Sequence, residues 1–143
     1  MRIGMADSRN LVEAFYGDIW NRRDYAAAKQ ILSPDLRFRG SLGSQTLGVP
    51  AFLAYVDGVH AALSDYRCLI EELIAEQSRA AARMSFRGCH RGPLFGAAGT
   101  GRDLSWVGAA FFGILEGRIA SVWVLGDLDG LKQQLNAQEA SPF

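Results

Sequence analysis

Near Asp65 the spacing of apolar residues changes from helical to alternating, and this switch limits the folds open to the chain. Beyond it, Tyr66 to Glu76 and Arg79 to His90 flank the polar tip Gln77 and Ser78, while Arg102 to Leu115 and Arg118 to Asp127 flank Glu116 and Gly117. Each pair reads as a long hairpin, the second closed by a good two-residue turn, and together they make an antiparallel sheet. Upstream, Leu11, Val12, Phe15, Ile19 and Trp20 recur at three- and four-residue spacing after Ser8, a candidate cap, in a helix ending near Asn21. A second helix starts at Asp24 and carries Tyr25, Ala28, Ile31 and Leu32 until Ser33, Pro34 and Asp35 stop it. Asp35 to Arg39 is a brief extended piece, and Gly40 to Gly48 is a loop or a weakly paired strand. A third helix has Pro50 in its first turn and shows Phe52, Leu53, Val56, Val59, His60 and Leu63 on one face. A short last helix, Leu128 to Asn136, precedes a loose tail, AQEASPF. Helices followed by a strand meander predict an α+β domain, with the helices packed on one concave face of a curved sheet.

The 143 residues suit a single domain with a substantial core, expected over about residues 7 to 136. Fifteen basic and fifteen acidic residues give a net charge of zero, and neither sign is gathered into a long run. Such a surface offers no electrostatic footprint for nucleic acid or an anionic membrane. Cys68 and Cys89 make neither a metal cluster nor a disulfide framework, which suggests reduced thiols in a cytoplasmic protein. The opening MRIGMADSRN lacks the apolar core of a signal peptide, and VGAAFFGIL, from Val107 to Leu115, is too short to cross a bilayer as a helix.

Strand alternation assigns faces. Ala82, Met84, Phe86, Gly88 and His90 share one side of their strand, which places His90 at the inward end of an apolar row. Ile119, Ser121, Trp123, Leu125 and Asp127 share a side of the last strand. With Glu116 and Gly117 as the turn, Asp127 falls opposite Trp106 and Trp123 opposite Ala110, provided that no bulge intervenes. A carboxylate beside an indole is desolvated, and desolvation moves it toward the working range of a general acid or base. Asp127 also stands immediately before the last helix, where aspartate is a good cap. His90, an imidazole and so suited to proton exchange, is a chemically reasonable partner for it, or equally a buried ring bonded to a backbone carbonyl. Phe86, Phe112, Trp106 and Trp123 are core residues first, and aromatics on an inner face also form a slot for a flat ligand. His60, on the stripe of the third helix, is a packed or edge residue, and two histidines so far apart make no zinc site. The GAAGTG run lacks the lysine of a phosphate-binding loop and is a connection.

Several segments together resemble the SnoaL-like polyketide cyclases, the ester-cyclase branch of the nuclear transport factor 2-like superfamily. They are WNRRD from Trp20, LSDYRCLIEELIAEQSRAAARMSFRGCHRG from Leu63, the following LFG and TGRDLSW, and EGRIASVWVLGDLDGLKQQL from Glu116. A histidine with glycine two residues to either side, and Trp-x-x-x-Asp followed by a leucine-rich helix ending in QQL, carry most of it. Two features depart from the pattern: Cys89 stands where threonine is common, and AAGTG at Ala97 to Gly101 replaces a proline-containing loop. The resemblance implies a cone-shaped, cystatin-like roll around an apolar pocket, and cofactor-free intramolecular aldol closure of a small apolar carbonyl compound. Asp127 matches the family's acid/base and His90 the histidine beside it, and the superfamily's first helix lines the pocket, which adds Tyr16 and Asn21 as ligand contacts. A homodimer is also implied, with Tyr66, Cys68, Ile70 and Cys89 on the face away from the pocket. The superfamily also holds binding and scaffolding members, so a non-catalytic binding or dimerisation module stands as the alternative.

Overall fold

The computed structural model describes residues 7–42 and 45–136; the expected tail AQEASPF lies outside them. Asp7, not Ser8, caps the first helix: its carboxylate accepts the Arg9 amide at 3.0 Å, which leaves Ser8 as the first residue of α1, Ser8–Ala14. The Ser8 hydroxyl donates instead to the Glu76 carbonyl and ties the helix to the tip of the first hairpin. Past Ala14 the chain continues as a π-helix over Phe15–Asn21. That wider turn brings two adjacent pairs, Phe15 with Tyr16 and Ile19 with Trp20, onto one buried face.

Asp24 caps α2, Tyr25–Ile31, and the chain passes directly into β1, Leu32–Arg39. Leu32 therefore belongs to the sheet. The glycine-rich stretch supplies a short β2, Gln45–Leu47, before α3, Val49–Ala62. Phe52, Val56 and Val59 form the buried stripe of α3, with Leu53 and His60 half-buried beside it and Leu63 already in β3. The long strands are β3, Leu63–Ala75, β4, Arg79–His90, β5, Asp103–Leu115, and β6, Arg118–Gly126; α4, Leu128–Asn136, follows. The six strands form one curved, unclosed sheet in the order β2-β1-β6-β5-β4-β3, antiparallel except where β1 runs beside β6.

Two side-chain amides close backbone edges that the strands leave open. Asn21 accepts the Cys68 N–H at 2.8 Å and donates to the Cys68 carbonyl at 2.9 Å, as a neighbouring strand would. Gln134 of α4 does the same for Ser105 of β5, at 3.0 and 2.7 Å, beyond the point where β6 ends. Arg102 then bonds the carbonyls of Gln134 and Leu135 and caps the C-terminus of α4.

The register of the second hairpin differs from the expectation. Glu116 and Gly117 both have positive φ, 53° and 75°, which makes the tight turn that the sequence suggests. Next to it Ile114 pairs with Ile119, but the next pair is Gly113 with Ser121, so Ala120 is an extra residue in β6. A methyl group at Gly113 would lie 2.5 Å from the Ser121 hydroxyl; the glycine leaves room for the bulge. Beyond it every β6 side chain changes face. Val122 and Val124 point inward, Trp123 opposes Phe111 on the outside, and the Asp127 amide donates to Val107 at 2.8 Å. Asp127 opposite Trp106, and Trp123 opposite Ala110 facing inward, are both corrected by this single residue.

Candidate functional site

Inside the sheet the helices and strands pool their aromatic residues. Phe15 stacks on Phe52 with centroids 5.5 Å apart and meets Tyr16 and Phe112 edge-on at 5.0 and 5.4 Å. Toward β3 and β4, Tyr66, Phe86 and Trp106 form a second group, with Phe86 and Trp106 5.4 Å apart. Between these groups lies a cavity of about 20 Å³ whose lining includes Tyr16, Trp20, Tyr55, Tyr66, Cys68 and Phe86. That volume holds roughly one water, far below the several hundred cubic ångströms of an ordinary ligand site. A ligand enters only if this lining moves.

The lining is apolar but not inert. Tyr16 is buried with no partner for its hydroxyl, and burial, then the Cys68 thiol, holds that phenol well above its ordinary value. It keeps its proton at neutral pH and can donate. Burial likewise raises Tyr66 and Cys68, and lifts Tyr55 to about 12. Trp106 Nε1, a donor only, is also buried without a partner, near Gly126, where a methyl group would come within 3.2 Å of it.

His90 is wholly buried, 0 % exposed, at the inner end of β4. Its backbone is held at both ends, its amide donating to Arg102 and its carbonyl accepting from Gly101, each at 2.8 Å. Nδ1 lies 3.3 Å from the Thr100 amide and 3.1 Å from the Thr100 hydroxyl, whereas Nε2 is buried without a partner. Tyr16, His90 and Trp106 thus leave three polar atoms with no protein partner, in an interior where such atoms are normally paired.

The sequence profile of the SnoaL-like polyketide cyclases matches residues 10–135. The chain belongs to this family. TsrD from Streptomyces laurentii is similar in structure at 28% identity and a TM-score of 0.80, over 92% of this chain and 96% of that one. A SnoaL-like polyketide cyclase from Agrobacterium tumefaciens matches at 20% identity and 0.79, over 92% and 100% of the two chains. AclR from Streptomyces galilaeus, assigned as a hydroxylase, matches at 22% and 0.75, over 94% and 83%. The last two likenesses establish the fold alone. No curated protein matches the chain.

Within this SnoaL-like fold the expected site residues divide into two groups. His90, Tyr16, Trp106, Phe86 and Phe112 all lie in the interior. Trp123 does not: it is 46 % exposed on the outer face, beside Phe111 and under the Arg39 guanidinium. Asp127 is exposed too, and its carboxylate accepts the Gly130 amide at 2.9 Å as the cap of α4. A methyl group at Gly130 would sit 2.5 Å from that carboxylate, so the glycine makes room for the cap. Asp127 lies opposite Val107 and not opposite Trp106, contrary to the expected register. Asn21 spends one donor and one acceptor on Cys68, and His60 donates from Nε2 to the Trp20 carbonyl at 2.8 Å. Burial lowers the His60 pKa, so this ring stays neutral at neutral pH. Tyr66 and Cys68, expected on the outer face, are 3 % and 5 % exposed and point inward, because Asp65 with φ 54° and the irregular pairing from Ser64 to Arg67 reset the alternation of β3.

Sequence reasoning missed Thr100, Tyr55 and Gln134 as positioning groups. For Thr100 the available signal was its place between Gly99 and Gly101, where both glycines are required: a methyl group at Gly99 would collide with the Arg91 carbonyl, and Gly101 has φ 74°. Among the described residues no group of three or more His, Cys, Asp or Glu side chains could hold a metal ion, and no helix is long and apolar enough to cross a membrane.

Proposed function

We propose that the chain binds a small apolar carbonyl compound inside the cone and activates it, without a cofactor, for proton abstraction and intramolecular aldol closure. One observation carries this reading: Tyr16 Oη, His90 Nε2 and Trp106 Nε1 are buried without partners, and Tyr16 and Trp106 each belong to one of the two aromatic groups. Unpaired buried donors cost about 1–3 kcal/mol each, and a carbonyl oxygen that becomes an enolate is the acceptor they fit. Asp127 takes the role of proton acceptor in this proposal. It stands one residue past Gly126, the point at which β6 meets the Trp106 indole N–H.

The test is solvent deuterium exchange at the α carbon of a panel of β-keto esters and cyclic ketones, followed by proton NMR. Tyr16→Phe removes one donor without changing the packing and lowers exchange by about tenfold, the worth of one hydrogen bond. Unchanged exchange would remove Tyr16 from the site. A second reading, a binding module without catalysis, is favoured by the capping role of Asp127 and by the small cavity. It predicts that no panel compound exchanges while some still bind.

We also propose a homodimer, through a different patch from the one expected. Val107, Phe111, Trp123 and Leu125 are 57 %, 47 %, 46 % and 53 % exposed and adjoin one another on the outer face of β5 and β6. Four large apolar side chains gathered in this way mark an interaction surface. Light scattering at micromolar concentration is expected to give twice the chain mass for the wild type and the single-chain mass for Trp123→Asp. A monomeric wild type would refute the dimer.

A further inference from the structure

His90 and the loop after it define which atom of the imidazole carries the proton. A backbone N–H can only donate, so Nδ1, 3.3 Å from the Thr100 amide, must present its lone pair. The Thr100 hydroxyl, 3.1 Å from the same nitrogen, completes the pattern: its oxygen accepts the Arg102 amide at 3.2 Å, which leaves its hydrogen to point at Nδ1. Two donors converge on one ring nitrogen. A neutral imidazole has one N–H, which must then reside on Nε2, the buried atom with no protein partner.

The loop is built to hold this arrangement. Leu94 and Ala97 bond each other in both directions at 2.9 Å around Phe95 and Gly96, whose φ values are 49° and 78°. At its root, Arg91 and Gly92 donate to the Ala62 carbonyl at 2.8 and 3.1 Å. Gly99 lies against the Arg91 backbone and Gly101 takes the left-handed conformation, which sets the intervening Thr100 beside Nδ1 of the ring.

We propose that Thr100 is a positioning residue that fixes His90 as the Nε2–H tautomer, so that the ring serves the interior as a hydrogen-bond donor and not as a proton acceptor. The identity of the oxygen that receives this N–H rests on the carbonyl-binding reading above; the tautomer does not. In catalysis the ring would stabilise negative charge on the ligand oxygen and leave proton abstraction to another group.

The experiment is a long-range ¹H–¹⁵N correlation spectrum of the histidine rings in the ¹⁵N-labelled full chain at neutral pH, with His60→Gln used to assign the two rings. The expected His90 pattern has a bare Nδ1 and a protonated Nε2. A proton on Nδ1, or an even mixture, overturns the proposal. Thr100→Ser keeps the hydroxyl and is expected to reproduce the wild-type ring spectrum. Thr100→Val keeps only the amide donor and is expected to raise the Nδ1–H population by about fivefold to tenfold, the effect of one hydrogen bond lost. A valine spectrum identical to wild type would show that the hydroxyl positions nothing. Absence of deuterium exchange on the ketone panel would count against the catalytic reading and leave these ring spectra as they are, so the two failures are distinguishable.

Discussion

Truncating Phe15 to alanine is expected to destabilise the fold by about 3–5 kcal/mol, the range for a fully buried phenylalanine. Its ring is 0 % exposed and sits where the π-helix, α3, β1 and β5 meet, against Phe52, Tyr16, Phe112 and Phe38. The loss combines the apolar area returned to water with the cavity left among rings too large to close over it. For a protein with about 5–15 kcal/mol of stability, that is a large share. With a urea slope of about 2 kcal/mol per molar, the midpoint should fall by about 2 M. Phe15→Leu, which keeps most of the volume, should cost much less. A loss below about 1 kcal/mol for the alanine variant would mean that the aromatic cluster already yields, as a lining that must admit a ligand would.

The same cluster shows what the sequence could reveal. Helical spacing picks out Leu11, Val12, Phe15, Ile19 and Trp20, and all five are buried. It says nothing of Tyr16, because the wider winding that brings Tyr16 inward is a backbone property with no apolar period of its own. Alternation in β4 is legible to the last residue, since Ala82, Met84, Phe86, Gly88 and His90 are all inward and no bulge interrupts their pairing with β5. The last helix has the bounds that its cap and leucines suggest, Leu128–Asn136.

β6 was misread for a physical reason. One extra residue at Ala120 exchanges the inner and outer sets, and a period of two has no means of absorbing it. A signal was present in Gly113, a glycine set between the large apolar residues Phe112 and Ile114, since a glycine inside a strand commonly marks a bulge or a close approach. Reading that glycine would have put Val122 and Val124 inside and freed Trp123 for the surface. The interior donors are legible as residue types, but their lack of partners is a property of the packed chain, and so is the hold of Thr100 on His90.

Asp127 provides the sharpest separation of chemistry from architecture. Asparagine caps a helix about as well as aspartate does, so Asp127→Asn should leave the thermal midpoint unchanged. An amide cannot take the substrate proton, and exchange on the most reactive panel compound should fall about 10²–10⁴-fold, the usual contribution of a general base. Asp127→Ala removes both functions: exchange should fall equally, and stability by about 1 kcal/mol, because the Gly130 amide loses its acceptor. The two variants therefore agree in rate and differ in stability if the carboxylate is both cap and base. Full exchange by the asparagine variant, with stability lost only in the alanine variant, would confine Asp127 to the helix terminus. His90, held with its proton on Nε2, could not take over as the base without giving up both Thr100 bonds. The interior would then be a set of donors with no base, a pocket that binds a carbonyl oxygen without transforming it.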